Sequence, residues 1–226
     1  LLFVLFGIVF LYSWLYAKEG FSNEETIDYY VITMKTPDRM KNIQTQQKLV
    51  KQPVVFQLFD AVKGDELNLH DYDNISPDHR KDTKIRKREI ALSLTNLQIY
   101  KKIQQEQKKG YTVVLEDDFA LIPDFYDLEK QIREVIPTQD FDILYLENIS
   151  NNIGEPISAT VCEIDTNKKF YGTLGYVIKN QNVGKILQET EYIKAAIDNQ
   201  LQEAIYDKRL KGFTCCPFLI KQNGTS

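Results

Sequence analysis

The stretch that decides the fold is Tyr111-Thr-Val-Val-Leu115, which is followed at once by Glu116, Asp117 and Asp118. Apolar and β-branched residues follow one another here without polar alternation, which is typical of a strand buried on both faces of a sheet. Three carboxylates directly after such a strand are costly unless solvent or a cation compensates their charge. The stretch therefore predicts a central strand that ends in a polar site.

Strands and helices alternate on both sides of this stretch. Apolar runs predict further strands at 28–33, 53–62, 141–146, 170–179 and 213–220. Helical patterns occur at 37–50, 82–109, 183–188 and 195–210, and another helix is expected after Pro123. Alternating units of this size predict an α/β fold with a mostly parallel central sheet. Ligands bind beyond the carboxyl ends of strands in such sheets, which is where the acidic triplet lies.

The composition excludes several classes of function. The 226 residues carry 28 Lys and Arg against 32 Asp and Glu, a net charge of -4. We expect no nucleic acid partner, because phosphate backbones favour basic surfaces. A four-ligand zinc site would use almost all of the 2 His and 3 Cys, which are scattered along the sequence. A Ser-His-Asp triad would depend on His70 or His79, which lie in a polar stretch predicted to be a loop. The cysteines favour buried thiols, with one disulfide from Cys162 as the alternative.

The chain begins with the uncharged segment LLFVLFGIVFLYSWLYA at 1–17. A helix of this length spans roughly 25 Å, close to the ~30 Å hydrocarbon core of a membrane. We predict a single-pass transmembrane signal-anchor at 1–17, a linker at 18–27 and a folded domain at 28–226. A signal-peptide core and a buried helix are the alternatives. The folded domain is expected in a secretory-pathway lumen, with the cytosolic side as the alternative.

The acidic triplet is the most informative local feature. A side-chain period of two would place Glu116 and Asp118 on one side of the strand and Asp117 on the other. Two hard oxygen donors of this kind suit Mg²⁺ or Mn²⁺ bridging a diphosphate, where the cation neutralises charge on a leaving nucleoside diphosphate. The alternative is an acidic turn that caps the next helix.

The chain resembles glycosyltransferase family 25, which includes lipooligosaccharide galactosyltransferases and collagen hydroxylysine galactosyltransferases. The resemblance runs from about residue 29 to 223, and its segments occur in the family's order. They are YYVITMKTPDRM (29–40), FDAVKGDEL (59–67), REIALSLTNLQIYKKI (88–103), VVLEDDFAL (113–121), FDILYLEN (141–148), GTLGYVIKNQNVGKIL (172–187) and AIDNQL (196–201).

The resemblance implies a GT-A-like nucleotide-sugar-binding domain at 28–226, with a function and a set of site residues. The implied function is transfer of a hexose, galactose or glucose, from a UDP-sugar to a glycan, lipid-linked or protein hydroxyl acceptor. Asp118 is the expected main ligand of a divalent cation, Mn²⁺ or Mg²⁺, and Glu116 the second carboxylate. Asp198 is the expected base that deprotonates the acceptor, with a helix N-cap as the alternative role. The expected donor contacts are Thr33, Lys35, Arg39 and Asp117.

The chain also departs from the family's pattern. Thr95 and Asn96 stand where the family usually has Ser-His, and Leu174 stands where His is common. Lys63 replaces a frequent acidic residue, and Ala196 replaces a proline. These departures support an alternative function, a catalytically silent, membrane-anchored protein that binds glycans or a partner through the same fold.

Overall fold

The computed structural model describes residues 25–80, 83–136, 140–147, 152–169 and 171–223. The predicted signal-anchor at 1–17 and most of the predicted linker lie outside these residues. No helix in the described part of the chain is long and apolar enough to cross a membrane.

Ten strands and five α-helices are assigned in the described residues. In chain order they are β1 (Ile27–Thr33), α1 (Pro37–Leu49), β2 (Gln57–Asp60), α2 (Lys84–Glu106), β3 (Tyr111–Glu116), β4 (Phe119–Leu121), α3 (Leu128–Val135), β5 (Ile143–Tyr145), β6 (Ile153–Pro156), β7 (Val161–Ile164), β8 (Gly175–Lys179), α4 (Val183–Thr190), α5 (Ile197–Tyr206), β9 (Gly212–Cys215) and β10 (Ile220–Gln222). The predicted helices are found with small shifts at their ends. The predicted strand at 53–62 shortens to β2, and the one at 213–220 divides into β9 and β10.

Eight of the strands form one mixed sheet in the order β2-β1-β3-β8-β5-β9-β7-β6. The α/β class is confirmed, but the prediction of a mostly parallel sheet is wrong. Strand β8 lies between β3 and β5 and runs antiparallel to both. A parallel neighbour requires a crossover connection, usually a helix. The described residues between β5 and β8 instead contain the β6–β7 hairpin, and β8 begins beside the end of β3.

Apolar side chains cover both faces of the sheet. On one face Tyr30, Val114 and Tyr176 pack with residues of α2, α4 and α5. On the other face Val113, Leu115 and Val177 pack with residues of α1, α3, β4 and β10. Neighbouring residues of β3 therefore belong to opposite core layers, which explains why its sequence is a continuous apolar run.

Gly110 permits the entry into β3. Its φ is +94°, and a Cβ at this position would lie 2.3 Å from the Thr26 carbonyl oxygen. The same carbonyl accepts the Tyr111 amide at 2.9 Å, which starts the pairing of β3 with β1.

The cysteines correct the expectation of buried thiols. Cys162 and Cys216 form a disulfide between β7 and the residue after β9. Only Cys215 is a buried thiol. Antiparallel pairing of β7 with β9 sets Cys162 opposite Thr214, which brings the two bonded cysteines close together.

Candidate functional site

The antiparallel pairing of β8 brings the residues before β8 to the end of β3. Leu115 pairs with Gly175, so Gly172, Thr173 and Leu174 lie beside Glu116, the last residue of β3. The Glu116 amide donates to the Leu174 carbonyl at 2.8 Å. Thr173 Oγ1 donates to Glu116 Oε1 at 2.7 Å. Two segments that are distant in sequence therefore meet at Glu116.

The acidic motif, defined here as Glu116–Asp118, leaves the strand as a tight turn. Strand β3 ends at Glu116, and Asp117 and Asp118 occupy a turn before β4. The strand alternation therefore stops at Glu116, and Glu116 and Asp117 line the same cavity. The next described α-helix begins only at Leu128, so the acidic motif caps no helix there.

A first cavity of about 430 Å³ opens beyond the ends of β1 and β3. Its volume lies in the range of about 300–1,000 Å³ that is common for ligand pockets. Thr33 and Met34 from the end of β1, and Glu116 and Asp117 from the end of β3, form one wall. The opposite wall comes from the turn after β2 and from α2, and it includes Lys63, Asp65, Glu66, Arg88 and Thr95.

A second cavity of about 400 Å³ adjoins the first, because Glu116 and Leu92 line both. Its other walls are formed by the residues before β8, the start of α5 and the end of β10. Asp198 lies in this cavity, where its Oδ2 accepts the Gly172 amide at 3.2 Å. Helix α5 starts at Ile197 after the N-cap Ala196, so Asp198 is not the N-cap residue.

The carboxylates at the junction of the cavities influence one another. Burial raises the pKa of Glu116 to about 7, the Thr173 hydrogen bond opposes this rise, and the charges of Asp118, Asp117 and Asp198 add to it. Burial also raises the pKa of Glu147, just after β5, to about 7, with a further contribution from Glu116. The site therefore holds carboxyl groups whose charged forms a bound cation would favour.

One guanidinium already lies against the acidic motif. Arg39 from α1 places its Nη1 3.1 Å from Asp118 Oδ2 and its Nε 3.5 Å from Asp117 Oδ1. The other oxygen of Asp118, Oδ1, is buried and has no hydrogen-bond partner among the described residues. Arg39 therefore compensates the acidic motif only in part.

A divalent cation such as Mg²⁺ requires oxygen ligands, which the acidic motif contains. Across the described residues no group of three or more His, Cys, Asp and Glu side chains is arranged to hold a metal ion. Mg²⁺ is usually held by one or two carboxylates together with substrate phosphates and water. The unpaired Asp118 oxygen and the Glu116 carboxylate fit this requirement for one or two protein carboxylates.

A comparison with known families decides the assignment. Residues 26–201 match glycosyltransferase family 25, described as an LPS biosynthesis protein family.

The chain belongs to glycosyltransferase family 25.

This match confirms the family that the ordered segments of the sequence indicated. The family implies glycosyltransferase activity in general terms. A search of curated proteins found no match to the chain.

The site residues expected from sequence are only partly brought together. Thr33 and Asp117 line the first cavity with Glu116, and Asp198 lies in the second. Lys35 is half exposed and forms an ion pair with Asp60 instead of lining either cavity. Asp118 and Arg39 form an ion pair and line neither cavity.

The departures from the family 25 pattern have separate structural roles. Asn96 is buried, lines neither cavity, and accepts a hydrogen bond from Tyr176, whose hydroxyl is 2.8 Å from that of Tyr100. Thr95 lines the first cavity, and its hydroxyl accepts the Val62 amide at 2.9 Å. Leu174 and Ala196 are the departures that line the second cavity, where Leu174 forms a buried apolar wall. Asn96, which replaces the His of the family's Ser-His pair, therefore takes part in a buried hydrogen-bond network with Tyr176 and Tyr100 outside the two cavities.

Sequence reasoning missed several residues that line the cavities. Arg88 belongs to the basic first third of α2, whose sequence indicates either a solvated helix face or a contact for anionic ligand groups, and the structure places it in the first cavity. Thr173 lies within the segment 172–187 that resembles the family, and the resemblance implies no role for it. Gln222 gave no signal, because a single exposed polar residue near a chain end is unremarkable in any sequence.

Proposed function

We propose that this family 25 chain transfers a hexose, galactose or glucose, from a UDP-sugar to a hydroxyl group of a glycan, lipid-linked or glycoprotein acceptor. The observation that supports this proposal is the position of Glu116 in the wall shared by the two cavities. A donor in one cavity and an acceptor in the other would meet at that wall.

The first cavity suits the donor. Thr33 and Asp117 supply hydroxyl and carboxylate oxygens for ribose or sugar hydroxyls, and Arg88 supplies a positive charge for the diphosphate. We include Lys35 and Arg39 as donor contacts from their place after β1, which requires each to leave its ion pair with Asp60 or with the acidic motif.

The second cavity suits the acceptor, with Asp198 as the base. The Gly172 amide fixes one carboxylate oxygen of Asp198, and the Asn199 amide donates to the other at 2.8 Å. In the transfer step the acceptor oxygen bonds to the anomeric carbon as the bond from that carbon to the diphosphate breaks. The proton of the acceptor hydroxyl passes to Asp198.

A divalent cation, Mn²⁺ or Mg²⁺, bound by Asp118 and Glu116 would neutralise the charge that develops on the leaving diphosphate. The unpaired Asp118 Oδ1 supports these ligands. Arg39 contributes positive charge at the same carboxylates from the protein itself.

We also propose that the domain works in a secretory-pathway lumen, anchored to a membrane through residues 1–17. The Cys162–Cys216 disulfide supports this location, because disulfides persist in oxidising compartments.

A screen of nucleotide sugars tests the proposed function. Nucleoside diphosphate release by the full chain is measured with and without Mn²⁺ and with and without simple sugar acceptors. The proposal expects release from UDP-galactose or UDP-glucose that increases when an acceptor is added. A silent binding protein of the same fold would release no nucleoside diphosphate from any donor.

A further inference from the structure

The chain continues beyond the family match and returns to the site. The match ends at residue 201, whereas Pro217–Asn223, called here the C-terminal segment, lies against the acidic motif. Its β10 strand pairs antiparallel with β4, with Gln222 opposite Phe119 and Ile220 opposite Leu121.

Two anchors hold the C-terminal segment in place. Cys216, the residue before it, is bonded to Cys162 on β7. Ile220 is fully buried in the notch left by Gly175, where a Cβ would lie 2.3 Å from Ile220 Cδ1. The segment is therefore fixed at its start by a covalent bond and in its middle by core packing.

The end of the segment contacts Asp118 twice. The Asn223 amide donates to the Asp118 carbonyl at 2.7 Å. Gln222 Nε2 donates to Asp118 Oδ2 at 3.2 Å, the same oxygen that pairs with Arg39. Gln222 and Arg39 thus hold one oxygen of this carboxylate, and Oδ1 is left without a hydrogen-bond partner among the described residues.

Asn42 of α1 links the segment to the rest of the acidic turn. Its Nδ2 donates to the carbonyls of Asp117 at 2.9 Å and Phe119 at 2.8 Å. Its Oδ1 accepts Asn223 Nδ2 at 2.9 Å. The turn is therefore held between α1 and the C-terminal segment.

Gln222 also forms part of the wall of the second cavity, together with Asp198 and Gly172. One exposed side chain thus joins the carboxylate of Asp118 to the space assigned to the acceptor. Its neighbour Lys221 on the same strand lines neither cavity.

We propose that the C-terminal segment is a working part of the site and that Gln222 is a positioning residue, which orients the Asp118 carboxylate and borders the acceptor. This inference rests on the proposed function for its kinetic part. Its structural part, that the segment holds the acidic turn, stands on the contacts alone.

The kinetic test compares three single variants of the full chain. Gln222→Ala removes the amide donor and is expected to lower kcat/KM for the acceptor about tenfold, the scale of one lost hydrogen bond to a charged group. Gln222→Glu sets a second carboxylate against Asp118, and its kcat/KM for the acceptor is expected to be lower still than that of Gln222→Ala. Lys221→Ala is the matched control and should equal the wild type. Equal kinetics for all four proteins would overturn the role of Gln222, as would a Gln222→Glu variant more active than Gln222→Ala.

Hydrogen exchange tests the segment without any activity. On reduction of the disulfide, amides in peptides covering 116–122 and 217–223 should exchange several-fold faster, whereas a peptide covering α2 should keep its rate. An unchanged rate at 116–122 would overturn the inference. A wild-type chain that transfers no sugar would overturn the proposed function, and the exchange experiment would then decide the inference.

Discussion

Thr173 and Glu116 are joined by a 2.7 Å hydrogen bond across the boundary between β8 and β3. The bond exists because β8 runs antiparallel to β3, so the residues that precede one strand lie beside the residue that ends the other. A parallel β8 would have placed its own carboxyl end there instead. The residues that lead into the antiparallel strand therefore supply a wall of the second cavity and a hydrogen-bond donor for the shared carboxylate.

Thr173→Val removes this hydroxyl while keeping the shape of the side chain. A lost hydrogen bond to a charged group corresponds to about 1.5–3 kcal/mol, or roughly a 10- to 100-fold fall in kcat/KM. Thr173→Ser keeps the hydroxyl and should retain most of the activity. Transfer kinetics of both variants check this, and a Thr173→Val variant with wild-type kcat/KM would contradict the role given to the bond.

Asn96 is expected to stabilise the folded protein without contributing to donor binding. Asn96→Ala leaves the Tyr176 hydroxyl without one of its partners, and we expect a loss of about 2 kcal/mol in the free energy of unfolding. UDP affinity of the folded protein should stay within twofold, because Asn96 lines neither cavity. Denaturant unfolding and calorimetric titration measure the two quantities. Gln98→Ala, at an exposed position of the same helix, is the control, and a loss of UDP affinity only in the Asn96 variant would refute this interpretation.

Cys215 should be inert in the native protein. Burial raises the pKa of its thiol to about 12, so almost no reactive thiolate is present at pH 8. Mass spectrometry after alkylation should find no label on the native chain. The unfolded, unreduced chain should take one label and the reduced chain three, because one of the three cysteines is a thiol and two form the disulfide. Three labels without reduction would contradict the Cys162–Cys216 bond.

Removal of metal should stop the reaction. Sugar transfer is expected to stop when a chelator is added and to return when Mn²⁺ is supplied in excess. Full transfer activity in the presence of chelator would show that the reaction needs no divalent cation.

Arg39→Ala should tighten Mn²⁺ binding, because the guanidinium that competes for Asp117 and Asp118 is lost. Calorimetric titration measures this, with Lys41→Ala on the exposed face of α1 as the control. Equal Mn²⁺ affinities for the two variants would show that Arg39 does not compete with the cation.

What could be predicted from sequence was local. The continuous apolar run from Tyr111 to Leu115 predicts a strand buried on both faces. The carboxylates that begin at Glu116 predict that this strand ends in a polar site. The strand predicted at 28–33 likewise ends at Thr33, and the structure places Thr33 in one cavity with Asp117.

What could not be predicted depends on contacts between distant residues. The direction of β8 is set by how the chain returns from the β6–β7 hairpin, and no local pattern in 170–179 encodes it. The disulfide partner of Cys162 depends on the pairing of β7 with β9. Gln222 reaches the second cavity because the disulfide, the pairing of β10 with β4 and the burial of Ile220 at Gly175 fix the C-terminal segment.

The most direct measurement compares acceptor-dependent release of UDP by the wild type, Asp198→Asn and the matched control Asp207→Asn, an exposed position just after α5. Loss of a general base lowers turnover by roughly 100-fold or more. We expect Asp198→Asn to lose transfer to at least that extent while its affinity for UDP stays within threefold, and Asp207→Asn to behave as the wild type. Wild-type turnover in Asp198→Asn would contradict the assignment of the second cavity as the place where the acceptor is deprotonated.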